Sequence, residues 1–265
     1  MSAAFSPSQV AEMVQMYDTG MAAGRIATVY GTDTSTVSRR LRAAGVSIRT
    51  PSESRVIYRC DADAFERSTD ESAYWLGFLL ADGCVTAGRR FTLSVALKES
   101  DRPHLDNLRT FLQAEAPIKH DPKRKSASLV VSSERLVASL MSRGCGPRKS
   151  ATLRFPPSGL LHRQHFVRGV FDGDGCISAY RRPYVQPTVS FVGAPPFLAG
   201  LRDVICSDVG LTANKLYTAG RSEVAKVLAW TGCGNASRMY RYLYESGGPC
   251  LHRKRARFEE LGLAG

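Results

Sequence analysis

Apolar residues recur at helical spacing in two stretches that end alike. In "AYWLGFLLADGCV", residues 73–85, the run closes on Asp82 and Gly83. In "FVRGVFDGDGCIS", residues 166–178, Phe166, Val167, Val170 and Phe171 lead into Asp-Gly-Asp-Gly. Asp174 follows Asp82 by ninety-two positions (174 − 82 = 92), and in both stretches a Gly and then a Cys come next. Beyond the first stretch, Phe91, Leu93, Val95 and Leu97 alternate with Thr92, Ser94, Ala96 and Lys98, the period of a half-buried strand. The pattern predicts a helix over 72–82, this strand, a helix near 101–113, strands near 117–120 and 126–132, and a helix near 133–143. It then predicts a helix over 165–174, strands near 176–180 and 186–192, and a helix near 195–209. Strands near 215–219 and 224–230 and a helix near 234–246 complete the set. Helix, two strands, helix, two strands, helix is expected twice, an internal duplication that implies a pseudo-twofold domain. The two repeats are placed at 71–157 and 158–265.

Residues 1–50 read as a separate, all-α unit. Pro7 and Ser8 open a helix with Val10, Met13, Val14 and Tyr17 on its apolar face, and Gly20 closes it. Two short helices follow around Gly31-Thr32-Asp33, the second capped by Thr34 or Ser35. Val37 and Leu41 point inward, while Ser35, Ser38, Arg39 and Arg42 are expected to face a DNA major groove, the helix-turn-helix arrangement. Residues 51–70 are polar without a sustained period and read as a linker.

Charge narrows the partner. The chain has 36 Lys+Arg against 24 Asp+Glu, a formal charge of +12, which favours a polyanion, most often nucleic acid. A membrane is not expected, because the longest apolar run, Ala73 to Ala81, is too short to span one. The first residues lack the basic start and apolar stretch of a secretion signal. The seven cysteines are odd in number, with no C-x-x-C pair, which argues against a disulfide framework and a zinc site. The reading is a reduced, cytoplasmic protein. The chain has no G-x-S-x-G and no G-x-x-x-x-G-K-[ST], so neither a triad hydrolase nor a P-loop NTPase is supported. "DGDGCIS" fails as a calcium loop, because Cys176 falls on the next acidic position and no Glu ends the loop.

The doubled motif has its own chemistry. Gly77 and Ala81 in the first copy, and Gly169 and Gly173 in the second, are four apart and share a helix face. Small residues there let two helices meet backbone to backbone and deliver Asp82 and Asp174 to one end of the pair. Two close carboxylates repel unless a cation lies between them, and Mg²⁺ suits oxygen ligands. Such an ion can activate water and stabilise the leaving oxygen of a phosphodiester.

"WLGFLLADG" (75–83) and "VRGVFDGDG" (167–175) resemble the paired signatures of the LAGLIDADG homing endonucleases. The resemblance covers residues 70–260 or so and implies an α+β fold. It consists of a pseudo-twofold duplicated αββαββα unit whose β-saddle lies on double-stranded DNA, within a single-chain monomer. It places the metal-binding acids at Asp82 and Asp174 and gives Asp172 no catalytic role. It also places a catalytic basic residue near the end of each repeat, where "GCGPRKSATLRFP" and "CLHRKRARFEE" nominate Lys149 and Lys254. On the saddle, Val185, Val189 and Phe191 should face the helices, while Tyr184, Gln186, Thr188 and Ser190 face bases. Arg89, Arg90, Lys98, Arg181 and Arg182 should hold phosphates. The expected function is Mg²⁺-dependent cleavage of both strands of a long, specific DNA site. The rivals are a non-catalytic transcription regulator on the same fold, which would have lost the acids, and an RNA maturase.

Overall fold

The computed structural model describes residues 5–49, 58–149, 153–156, 162–180, 186–218, 220 and 225–264. The chain divides into two compact units, Met1–Val56 and Ile57–Gly265.

The first unit packs α1 (Pro7–Asp18), α2 (Ala23–Val29) and α3 (Thr34–Ala43) around Met13, Tyr17, Ile26, Ala27, Val37 and Leu41. Ser6 and Gln9 form a reciprocal capping box at the start of α1, with Pro7 as its first residue. The cap of α3 is Asp33, not Thr34 or Ser35. Its carboxylate accepts from the Thr36 N–H at 2.8 Å and the Thr36 hydroxyl at 2.8 Å. An anion at a helix N-terminus also gains from the helix dipole, which a hydroxyl does not. Ser35 donates its hydroxyl to the same carboxylate. Arg49 then ties the end of the unit down, donating to the Gly20, Tyr17 and Met21 carbonyls at 3.0, 2.9 and 2.6 Å.

The second unit carries the duplication. Its first half comprises α4 (Asp70–Asp82), β1 (Cys84–Thr86), β2 (Thr92–Lys98), α5 (Arg102–Phe111), β3 (Lys119–Asp121), β4 (Ser126–Ser132) and α6 (Glu134–Ser142). Its second half comprises α7 (Arg163–Asp174), β5 (Gly175–Tyr180), β6 (Gln186–Gly193), α8 (Pro195–Val209), β7 (Tyr217–Thr218), β8 (Lys226–Thr231), α9 (Cys233–Tyr244) and α10 (His252–Glu260). Each half holds a four-stranded antiparallel sheet, in the orders β1-β2-β4-β3 and β5-β6-β8-β7, so the strand order repeats as the sequence does. Register aligns the buried faces: Leu93 pairs with Val131 and Val95 with Leu129, then Val189 with Trp230 and Phe191 with Leu228. All seven cysteines are free. Among the described residues no helix is long and apolar enough to cross a membrane.

Two elements differ from expectation, β1 and α10. β1 has three residues, too few to show a period. In α10, "HRKRARFEE", only Lys254 and Phe258 are buried, so no apolar stripe announces the helix. The expected linker is also shorter than 51–70. Residues 51–57 lie outside the described ones, but 58–69 fold onto the first repeat. There Ala64 and Phe65 are buried, Phe65 packs edge-on to Phe111 at 5.3 Å, and the Asp61 N–H donates to the Leu112 carbonyl at 2.8 Å.

The two repeats meet through α4 and α7. A Cβ on Gly77 would strike the Phe166 carbonyl oxygen and lie 3.0 Å from the Val170 nitrogen. A Cβ on Gly169 would strike the Tyr74 carbonyl oxygen and lie 2.8 Å from the Phe78 nitrogen. Phe166 and Val170 follow Tyr74 and Phe78 by the repeat spacing, so the contacts are reciprocal about a pseudo-dyad. Gly173 faces Ala81 in the same way, one turn on. At the other end, Asp70 and His162, also equivalent positions, pair across the dyad at 2.5 Å.

Gly169→Ala should therefore destabilise the second unit by about 1–3 kcal/mol or more, because the methyl meets rigid backbone rather than a yielding side chain. Calorimetry of the full chain checks it; an unchanged melting temperature would show that α4 and α7 do not touch backbone to backbone.

Candidate active site

The helices stop where they do because of Gly83 and Gly175. Both are extended, at φ −75°, ψ 141° and φ −77°, ψ 159°, and each N–H turns back to the carbonyl four residues earlier, Leu79 or Phe171. A Cβ on either would lie 2.6 Å from that same oxygen. The chain leaves each helix by a turn only glycine fits, and the preceding aspartate becomes the last helical residue. Asp82 and Asp174 thus stand together at one end of the α4–α7 pair, beside the Ala81–Gly173 contact.

Both aspartates are exposed on one side and crowded by protein on the other. Partial burial, and then the charge of Asp82, push Asp174 up to about 6. Burial also raises Asp82, against the pull of Lys254, Arg253 and Lys149. Those cations come from the repeat ends. Lys254, buried on α10, donates to the carbonyls of Phe171, Gly173 and Gly175 at 2.7, 2.8 and 2.6 Å. Lys149, half-buried, donates to the carbonyl of Gly83, the equivalent of Gly175. Burial lowers Lys254 to about 8, with Asp172, Asp82 and Asp174 opposing the shift. Arg253 reaches into the first repeat, its Nε 2.8 Å from the buried Asp101 carboxylate. A repeated spacing announces this pair: Cys145, Arg148, Lys149 and Ala151 match Cys250, Arg253, Lys254 and Ala256. Arg253 was legible from that repeat and was missed.

Asp172 is fully buried beneath the site. It accepts from the hydroxyls of Tyr74 and Tyr244, each at 2.8 Å, and from the Leu251 N–H at 2.7 Å. Burial pushes it up to about 6 despite these donors. Closed to solvent, it cannot reach a metal ion or DNA, and Leu80 fills the equivalent place in the first repeat. His104 lies 3.0 Å from the Tyr74 hydroxyl, which is itself committed to Asp172, so the His104 Nε2–H is the donor. Burial lowers His104 to about 4. No local spacing reveals this network, since its members come from α4, α5, α7, α9 and the start of α10.

The candidate DNA-facing residues divide. On β6, Gln186 is exposed and Thr188 and Ser190 are partly so, alternating with buried Pro187, Val189 and Phe191. Arg89 and Arg90 are exposed between β1 and β2, and Lys98 is exposed at the end of β2. Lys98 heads an outward row not anticipated from sequence, continued by Ser126 and Ser128 on β4. Arg181, Arg182, Tyr184 and Val185 lie outside the described residues. On α3, Arg39 and Arg42 are exposed and Ser38 is half-buried.

Solved structures share this fold. The I-LtrWI LAGLIDADG homing endonuclease bound to target DNA has a TM-score of 0.52 and 13% identity, over 76% of this chain and 89% of that one. The I-SmaMI LAGLIDADG homing endonuclease bound to cleaved DNA has a TM-score of 0.52 and 11% identity, over 72% and 87%. LAGLIDADG homing endonuclease I-GzeII in complex with its DNA target has a TM-score of 0.51 and 11% identity, over 72% and 92%. No protein-family model and no curated protein matches the chain. The α4–α7 pair with its two sheets is the LAGLIDADG endonuclease fold.

Asp172→Leu, which copies Leu80, should cost roughly 3 kcal/mol or more, because three buried donors lose their acceptor at about 1–3 kcal/mol each. Urea unfolding measures this, and a loss below about 1 kcal/mol would show the network to be dispensable. His104 makes a separate prediction. Its folded-state pKa lies below the ordinary histidine value of 6.5, so its stabilisation is present above 6.5 and is lost as pH falls toward about 4. His104→Phe should make that decline shallower; identical pH profiles would contradict it.

Proposed function

We propose that residues 57–265 form a divalent-metal-dependent DNA endonuclease of the homing type, cutting both strands of a long duplex site. The observation that carries this reading is the pair of crowded carboxylates, Asp82 and Asp174, at the joined ends of α4 and α7. Ionised side by side they repel, and a small dication offsets that cost. The donor set fits Mg²⁺, since both groups offer carboxylate oxygen. Water and phosphate oxygens would complete the shell, the arrangement Mg²⁺ prefers. A bound Mg²⁺ supplies an activated water and a Lewis acid at the phosphodiester. Asp82 and Asp174 hold and orient it, while Lys149, Lys254 and Arg253 keep the local field favourable to phosphate. The hydroxyl, amide and basic positions on β2, β4 and β6 grip the duplex, in keeping with the +12 charge. Proteins of this fold bound to DNA support the same substrate class. Retention of both acids disfavours the regulator reading.

Cleavage of a randomised duplex library with Mg²⁺, and its absence with EDTA, tests the activity. Asp82→Asn or Asp174→Asn should each abolish cleavage and leave DNA affinity within a few-fold, since each removes a metal ligand and not a phosphate contact. Near wild-type cutting by either variant in saturating Mg²⁺ would refute the shared site.

The α1–α3 unit, in this reading, is a second DNA grip through α3. Deleting residues 1–50 should weaken binding and shorten the protected stretch while single-turnover cleavage at saturating protein stays near normal. Arg39→Ala should reproduce part of the loss. An unaltered footprint and affinity in the truncated protein would exclude DNA binding by this unit.

A further inference from the structure

Resting on the endonuclease reading, we infer that the two halves of the site are unequal: Lys254 is a positioning residue that clamps the end of α7, and Lys149 is the lysine that faces phosphate. A lysine ammonium has three N–H donors. Lys254 uses three, on Phe171, Gly173 and Gly175, and is 7% exposed. The Phe171 carbonyl also accepts from the Gly175 N–H, but the Gly173 and Gly175 carbonyls lie past the last donor of α7, so withdrawing Lys254 toward DNA would strip this donor from the negative end of the helix. Its backbone is equally committed. α10 is anchored by Phe258, fully buried between the rings of Phe171, Tyr240 and Tyr244.

Lys149 is placed differently. Among the described residues its ammonium meets one carbonyl, that of Gly83, and the residue is partly exposed. It follows α6 beyond a turn, in a 3-10 conformation directly after Arg148, which is left-handed at φ 55°. The motif explains the contrast. Lys254 lies in the field of buried Asp172, whereas Leu80, the residue equivalent to Asp172, gives the first half no such anion. The extra aspartate of "DGDG" therefore belongs to the clamp. With the two halves related by a pseudo-dyad, each is assigned one strand, so the strands should be cut at unequal rates and nicked duplex should accumulate.

The test compares wild type, Lys149→Met and Lys254→Met by thermal melting and by cleavage of duplex labelled on each strand across a Mg²⁺ series. Lys254→Met should melt several degrees lower, and its rate deficit should shrink as Mg²⁺ rises, because a loosened Asp174 binds the ion more weakly. Lys149→Met should melt like wild type and slow one strand about tenfold or more at every Mg²⁺ concentration. Equal melting losses in the two variants would overturn the clamp. So would a Lys254→Met deficit that persists at saturating Mg²⁺ with wild-type melting. Equal strand rates in wild type would overturn the inequality. Were wild type to cut no duplex, the endonuclease reading and the role of Lys149 would fall together, while the melting pair would still decide the clamp.

Discussion

Helices α4 and α7 touch through their main chains, and the second unit is organised around that contact. A helix pair separated by ordinary side chains lies 8–10 Å apart, axis to axis. Gly77 and Gly169 remove the separating atoms at equivalent turns, so each glycine admits a carbonyl of the other helix. Close approach carries both helices to a common end, and Gly83 and Gly175 stop them there. The glycines act by lacking a side chain and not by left-handed backbone, since the two at the helix ends have negative φ.

That convergence has an electrostatic cost. Two helix C-termini bring unpartnered carbonyls, and two aspartates add carboxylates to the same small volume. The chain offsets this from the ends of its repeats, where Lys149 and Lys254 bond the carbonyls and Arg253 adds charge near Asp82. Burial, and then the charge of Asp82, still hold Asp174 up at about 6. In the proposed reading, a bound dication would relieve the same strain and offset the phosphate charge that DNA adds to it. The repeats also carry complementary groups that a symmetric pair of identical repeats would lack, Asp70 against His162 and Tyr74 against Asp172.

Much of this was legible in sequence because both repeats carry the same order of signals, with the two helix motifs ninety-two residues apart (174 − 82 = 92). The alternation from Phe91 to Lys98 gave β2 its limits within a residue, and the four-residue spacing of Gly77 and Ala81 announced the helix contact. Failures came where the signal was not periodic. α10 buries Lys254 where a stripe reading expects an apolar residue, so the helix went unpredicted. The cap of α3 is Asp33, one or two residues before the hydroxyls of Thr34 and Ser35 that the sequence suggested. Lys149 and Lys254 were found by resemblance, but their carbonyl acceptors were not, since backbone oxygens leave no trace in residue identity. The Tyr74–Asp172–His104 network joins five segments and is visible only after folding.

The most direct measurement is anomalous diffraction from crystals of the full chain with duplex DNA and Mn²⁺ in place of Mg²⁺. The account predicts an anomalous peak at the joined ends of α4 and α7, within coordination distance of both the Asp82 and the Asp174 carboxylates. A metal bound elsewhere, or no peak beside either carboxylate in a complex with ordered DNA, would contradict it.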